Sequence, residues 1–304
     1  MTASAEEILV GDLVAEFLQQ IGVTTTFGVI SIHNIPMLDA IGRRNAIRFV
    51  MARGEAGGGH MADAYARVSG ELGVLFTSTG PGAANACGAI VEARFAGAPM
   101  LHLTGQTATP NMDLGQGAVH DVADQIGMLR SVSKNAHRVR SAETAFGTLV
   151  QAATEAMTPP MGPISVEIPI DIQRTKIPRP AELASLRLPI PIANPGDDGT
   201  LDEIAKRLKG AKRPLLWVGN GAKFAGGAVA RLVDLGIPVI TSWNGRGVLP
   251  EDHPMSLGSL ATTPDVGDFL KTVDVLVVAG CRLRGHETAD MSMPLPEEMI
   301  QIDV

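Results

Sequence analysis

The sequence predicts an α/β protein built on parallel sheets. Three observations carry that expectation. Short apolar runs rich in Val, Ile and Leu recur along the chain, and segments of helix length separate them. A strand flanked in this way by helices is covered on both faces, which makes it apolar throughout rather than alternating. The composition agrees: 45% of residues are hydrophobic but only 4% are aromatic, which suits close-packed layers of small and branched side chains. A chain of 304 residues also exceeds one ordinary domain and points to about two.

The elements follow in order. Ser4-Ala-Glu-Glu7 reads as a capping box, and Leu9, Leu13, Phe17 and Leu18 follow it at helical spacing. Strands are expected near 25–29, 47–51, 73–77, 100–104 and 164–168, and helices near 35–41, 57–68, 83–95 and 142–157. Residues 175–199 are rich in Pro and lack a steady period, so they read as a linker between a first domain, 1–174, and a second, 200–304. The alternation then resumes. Strands are expected near 214–218, 238–242, 272–279 and 299–303, with a helix after the first. The last run, Met299-Ile-Gln-Ile-Asp-Val304, reads as a buried strand at which the chain stops. The second domain is therefore expected to be incomplete and the chain a fragment.

Several function classes are set aside. The net charge of −7, with no basic block, argues against a nucleic-acid partner. No apolar run approaches the ~18 residues of a membrane span. Two distant cysteines, Cys87 and Cys281, and an N-terminus without a basic leader fit a reducing cytoplasm. The seven histidines show no metal-binding spacing, so no metal ligands are assigned. Ser31 and Ser78 lack the frame of a hydrolase elbow.

Two segments carry most of the chemistry. Residues 53–70 read Arg-Gly-Glu-Ala-Gly-Gly-Gly-His-Met-Ala-Asp-Ala-Tyr-Ala-Arg-Val-Ser-Gly, with one acid, Glu55, where a helix of small residues begins. Residues 77–85 read Thr-Ser-Thr-Gly-Pro-Gly-Ala-Ala-Asn, a tight turn after an apolar strand. On its own, Glu55 is an acid favoured by a helix dipole. On its own, Gly80-Pro81-Gly82 is a strand-to-helix turn whose backbone can approach a flat ring, because Gly adds no Cβ and Pro stiffens the chain.

Together these segments resemble the pyrimidine-binding domain of thiamine-diphosphate-dependent 2-oxo acid enzymes. The acetolactate synthase group is nearest, with pyruvate oxidase, benzoylformate decarboxylase and benzaldehyde lyase as cousins. The resemblance extends over 23–38, 53–70, 77–85, 99–106, 127–134, 162–171 and 213–304. It implies a parallel-sheet pyrimidine-binding domain followed by an incomplete Rossmann-like central domain. It also implies a third domain, absent from this chain, that would hold Mg²⁺ and the diphosphate.

In such enzymes the cofactor loses a proton from its thiazolium carbon, helped by a shielded carboxyl held against the aminopyrimidine nitrogen. The resemblance gives that role to Glu55, although Gly54 and Ala56 stand where relatives often carry His and Gln. It makes Thr79, Gly80, Pro81, Gly82 and Asn85 the aminopyrimidine slot, at a dimer interface, with Val29, Ile30 and Ser31 contributing from the loop after the first strand. In that loop Ile30 and Ser31 depart from the acetolactate synthase pattern. His33 lines up instead with an active-site histidine of benzaldehyde lyase, and an imidazole there could relay protons. A half-exposed histidine near a helix start is the alternative.

Gln106, Gln116 and His120 lie after the fourth strand, where residues 107–123 form a polar stretch that could fold over a substrate cleft; Gln116 and His120 are the expected substrate-lining residues. His60 should face the core as a structural residue. Gly219-Asn-Gly221-Ala-Lys-Phe-Ala-Gly226 follows a strand in the manner of a dinucleotide turn, but Phe224 stands where a third Gly is needed. Gly280-Cys-Arg-Leu-Arg-Gly-His286 keeps Arg282 of the acetolactate synthase FAD segment and lacks its acidic pair, so FAD is an alternative that is not favoured.

The expected activity is decarboxylation of a 2-oxo acid with ligation to an acceptor, in a homodimer or homotetramer using thiamine diphosphate and Mg²⁺. A simple decarboxylase, a benzaldehyde-lyase-type carboligase and a non-catalytic assembly unit of the same fold remain as alternatives.

Overall fold

Residues 6–191, 196–259 and 261–304 are described by a computed structural model. The chain divides into two compact units, residues 1–191 and 192–304.

The first unit runs β1 (Glu7–Leu9), α1 (Val10–Gln20), β2 (Thr25–Gly28), α2 (Ile35–Arg44), β3 (Arg48–Met51), α3 (Glu55–Ser69), β4 (Gly73–Thr77), α4 (Pro81–Ala96), β5 (Met100–Gln106), α5 (Gln125–Val132), β6 (Asn135–Arg138), α6 (Ala145–Met157), β7 (Pro163–Pro169), α7 (Ile170–Gln173) and β8 (Lys176–Pro178). Six of these strands form one parallel sheet in the order β3-β2-β4-β5-β7-β6. The α/β expectation holds. Helices α1, α2 and α6 cover one face through Leu13, Phe17, Met37, Ile41 and Leu149, while α3 and α4 cover the other through Ala62, Ala66, Ala86 and Ile90. Burying each larger aliphatic or aromatic side chain contributes about 1.5–3 kcal/mol, and β4, β5 and β7 are buried along their whole length.

Two starts differ from expectation. Ser4 lies outside the described residues, and Glu7 opens a strand rather than completing a capping box. Residues 7–9 pair antiparallel with 176–178, so their backbone groups belong to a ladder, and α1 begins at Val10 with no side-chain cap. The same pairing brings the beginning of the expected linker into the first unit as β8. The sixth strand, β6, and the helix before it, α5, have no counterpart among the elements expected from periodicity.

The second unit has α8 (Asp198–Gly210), β9 (Pro214–Val218), α9 (Gly226–Asp234), β10 (Val239–Thr241), α10 (Pro264–Leu270), β11 (Val275–Ala279), α11 (Gly285–Thr288) and β12 (Met299–Ile302). Its four strands form a parallel sheet in the order β10-β9-β11-β12. The last strand is not the buried one expected: β12 lies at the sheet edge, and of its residues only Ile300 is buried.

Candidate active site

The first sheet changes winding direction between β2 and β4: β3 is added on one side and β5 on the other. At such a point the loops leaving the carboxyl ends of neighbouring strands diverge and open a crevice. The loop after β2 holds Val29 to Asn34, and the turn after β4 holds Ser78 to Gly80.

Short contacts link these loops into a ring. Glu55 stands in the first turn of α3. Its carboxylate lies so close to α4 that a Cβ on Gly82 would stand 2.6 Å from Glu55 Oε1, and the same Cβ would meet Ser78 Cβ at 2.6 Å. Ser78 Oγ hydrogen-bonds Ser31 Oγ at 2.7 Å, and Ser31 Oγ accepts from the His33 backbone N–H at 3.3 Å. The imidazoles of His33 and His120 sit with centroids 5.7 Å apart. The His120 carbonyl then returns to the turn after β4, where a Cβ on Gly80 would stand 2.0 Å from it; Gly80 also has φ +54°, a conformation that favours glycine. Asn34 fixes the β2 loop: its Oδ1 accepts from the Ser31 N–H (2.8 Å), while its amide donates to the carbonyls of Val29 (2.9 Å) and Thr77 (3.0 Å).

Beneath the ring lies a buried polar chain. The Gln125 Oε1 accepts from the Gly80 N–H at 2.6 Å and from Thr79 Oγ1 at 2.8 Å. Its Nε2 donates to the Gly105 carbonyl (3.1 Å) and to Glu167 Oε2 (3.0 Å). All four bonding positions of one amide are thus filled, and they tie together the ends of β4, β5 and β7. Arg138 donates to Glu167 and also pairs with Asp113 of the loop after β5. Burial pushes the Glu167 carboxyl above the usual carboxylate range, opposed by the Arg138 guanidinium.

Two polar groups of these residues lack partners. Among the described residues the Glu55 carboxylate has no hydrogen-bond donor. The Nδ1 of His33 is buried and unpartnered, and the residue is 6% exposed, not half-exposed. Burial holds its imidazole below the ordinary histidine range, and the neighbouring His120 adds to the effect. Unsatisfied buried polar atoms are costly and recur where a ligand completes them.

The structure therefore brings Glu55, Gly82, Ser31, His33, His120 and Gly80 into one crevice. It treats other expected residues differently. The Thr79 hydroxyl bonds to Gln125 and Gln106 within the protein, its carbonyl accepts from the Gly82 N–H at 3.1 Å, and the residue is fully buried. Pro81, Asn85 and Gln116 are exposed, Ile30 is 53% exposed, and Val29 is partly buried. His60 is exposed on α3 rather than turned to the core: Gly58, Gly59, Ala62 and Ala66 form the buried face of that helix, and His60 lies off it. Sequence reasoning missed Ser78, Gln125 and the Glu167–Arg138–Asp113 chain. The signal for Glu167 was an acid inside the apolar run Ile164-Ser-Val-Glu-Ile168, since a charge there must have a partner.

In the second unit, the Gly219-Asn-Gly221 turn is packed by the protein itself. A Cβ on Gly219 would lie 2.2 Å from the Gly280 carbonyl, and the Gly221 N–H donates to that same oxygen at 3.0 Å. The close approach that these glycines permit is made to residues 280–281, and Phe224 beside it is 66% exposed.

Comparison with known families follows the same division. Residues 8–128 match the family described as thiamine pyrophosphate enzyme, N-terminal TPP binding domain, and residues 201–304 match its central domain. The chain belongs to the thiamine pyrophosphate enzyme family. Among similar proteins are a probable 2-ketoarginine decarboxylase of Pseudomonas aeruginosa, 30% identical over 298 residues, covering 97% of this chain and 52% of that protein. Another is the acetolactate synthase isozyme 1 large subunit of Escherichia coli, 28% identical over 312 residues, covering 100% and 54%. A third is the mitochondrial acetolactate synthase catalytic subunit of Saccharomyces cerevisiae, 30% identical over 302 residues, covering 94% and 43%. The chain spans about half the length of the curated relatives it matches. No helix among the described residues is long and apolar enough to cross a membrane.

Proposed function

We propose that this thiamine pyrophosphate family chain supplies the aminopyrimidine side of a thiamine-diphosphate site in an enzyme that decarboxylates a 2-oxo acid and ligates the product to an acceptor. The observation that carries the reading is the unpartnered Glu55 carboxylate held against Gly82. A carboxyl packed beside bare backbone suits a flat heterocycle with a ring nitrogen, and the Gly80-Pro81-Gly82 backbone forms the wall beside it.

When bound, thiamine diphosphate would supply a thiazolium carbon that adds to the substrate carbonyl. The chain's own part is to orient and to manage protons. Glu55 would share a proton with the pyrimidine nitrogen, and its position at the first turn of α3 holds it there. His33 faces the same crevice with a free Nδ1 and an imidazole held neutral by burial, so it can accept or donate a proton there near neutral pH. His120 and the loop around it would close over the substrate.

The described residues include no group of three or more His, Cys, Asp or Glu that could hold a metal ion. In this reading Mg²⁺ and the diphosphate would be held by residues other than these, as the family resemblance implies. The reading also includes a cytoplasmic homodimer or homotetramer, joined through the exposed faces of α3 and α4. Ligation of the acetolactate synthase kind is the first choice. Decarboxylation alone is the second, favoured by the similarity to the 2-ketoarginine decarboxylase.

The test is Glu55→Gln in the active enzyme. Exchange of the cofactor's C2 proton should slow by about a hundredfold or more, the scale of positioned proton-transfer catalysis, while the cofactor still binds. Exchange at the parent rate would remove Glu55 from this role.

A further inference from the structure

The edge of the first sheet carries a cavity of different chemistry from the crevice. β6 is the outermost strand, and a cavity of about 280 Å³ lies beside it, bordered by α5 and α6. Arg130, His137, Arg138, Arg140, Thr148 and Gln151 line it, and no Asp or Glu does. Three arginines lining one cavity are unexpected in a chain of net charge −7. Like charges gathered at one place repel, and proteins usually intersperse acids among them.

The acids near this edge are already committed. Glu167 and Asp113 pair with Arg138. Glu155 pairs with His137 at 3.0 Å and also accepts from Gln151 Nε2 at 2.8 Å. Arg130 and Arg140 have no carboxylate partner among the described residues. The cavity thus has a cationic side with two uncompensated charges.

Its α6 side has the opposite character. The Thr148 hydroxyl donates its proton to the Thr144 carbonyl at 2.9 Å, which leaves its oxygen as an acceptor. Gln151 has its amide nitrogen engaged with Glu155, which leaves its Oε1 as an acceptor. One wall therefore asks for an anion and the other for a hydrogen-bond donor.

We infer that this cavity binds a small oxyanion metabolite: a molecule with a phosphate or carboxylate at one end and a hydroxyl or amine at the other. The planar guanidinium fork matches either oxyanion with two parallel hydrogen bonds. The inference does not depend on the thiamine reading: Arg138 also belongs to the polar chain beneath the crevice, but Arg130 and Arg140, whose charges carry the inference, do not.

The test uses the chain itself with two probes, inorganic phosphate and malonate, titrated separately by isothermal calorimetry at low ionic strength. Saturable binding of at least one probe is expected, with Kd at about the millimolar level or tighter, weakening as salt is added. The double variant Arg130→Gln/Arg140→Gln should weaken it at least about tenfold. Both side chains are exposed, so the fold should survive, and an unchanged circular dichroism spectrum checks that. Arg231→Gln, on an exposed surface of the second unit, should change nothing. Binding of phosphate alone identifies a phosphate-bearing ligand, and binding of malonate alone a carboxylate. No saturable binding of either probe, or binding that survives the double substitution, overturns the inference.

Discussion

Gly82 and Glu55 share one small volume: a methyl group on Gly82 would stand 2.6 Å from Glu55 Oε1. The acid on α3 keeps its place only because α4 presents bare backbone at that point. Gly82→Ala therefore sets two effects against each other. Replacing a helical glycine ordinarily stabilises by about 0.4–1 kcal/mol. Here the methyl also meets Ser78 Cβ at 2.6 Å, and overpacking of this kind costs about 1–3 kcal/mol. The variant should have a lower melting temperature. By calorimetric titration of the active enzyme, it should also bind thiamine diphosphate about tenfold more weakly or worse. Unchanged affinity would separate Gly82 from the cofactor slot.

The buried His102 gives the fold an acid sensitivity. It is fully buried on β5, with Nε2 2.8 Å from Thr77 Oγ1 and Nδ1 2.9 Å from Ser165 Oγ. Burial lowers its pKa to about 3. An unfolded histidine titrates at about 6.5, so between these values the unfolded chain binds a proton that the folded chain does not. Stability is complete above about pH 6.5 and falls as the pH drops, by up to about 1.4 kcal/mol per pH unit. His33, also lowered, adds in the same direction. In His102→Asn the slope of denaturation free energy against pH, between about 6 and 4, should be shallower by up to one proton. An equal slope in parent and variant would mean that His102 is not the titrating group.

The sheet was legible in the sequence because buried parallel strands are apolar at every position. Gly73–Thr77 was located to the residue, and Met100–Gln106 and Pro163–Pro169 to within two residues at each end. The α5–β6 segment was not, for a physical reason. Asn135-Ala-His-Arg138 is an edge strand in which only Ala136 joins the core, while Asn135, His137 and Arg138 make hydrogen bonds and ion pairs, so hydrophobic periodicity has little to report. Glu55 and the Gly80-Pro81-Gly82 turn were legible because residues close in sequence make the local geometry. Gln125 was not, since its partners Gly80, Gly105 and Glu167 come from three different strand ends. His33 was legible as a residue but not in its burial, which depends on the loop carrying His120.

The proposed dimer predicts what the outer faces of α3 and α4 should do. Met61 is 42% exposed and Val91 45%, among exposed Ala56, Gly57, Ala64, Ala84 and Gly88. Such a face is poorly suited to water and lets another helix come close. Met61→Glu/Val91→Glu should convert the dimer to monomer at micromolar concentration by multi-angle light scattering, with the fold retained because neither side chain is in the core. A parent that is already monomeric, or a variant that stays dimeric, would place the interface elsewhere.

The ring of contacts places His33 and Glu55 at different points of the crevice, and their variants should fail differently. Glu55 adjoins the Gly82 backbone, whereas His33 belongs to the β2 loop and faces His120. His33→Ala should therefore lower turnover by about a hundredfold, the lower end for a positioned acid or base, and leave exchange of the cofactor's C2 proton at the parent rate. The pH dependence gives a second reading. Because burial and His120 both lower the His33 pKa, the parent's rate should fall as pH drops below the ordinary histidine range, where a neutral imidazole becomes protonated. The variant should lose that acid limb and run flat through it. His33→Gln, which can hydrogen-bond but not titrate, should also lose the limb while recovering part of the stability lost in the alanine variant. If turnover and the acid limb both persist in His33→Ala, the buried Nδ1 is an unpaired structural atom and proton transfer in the crevice belongs to another group.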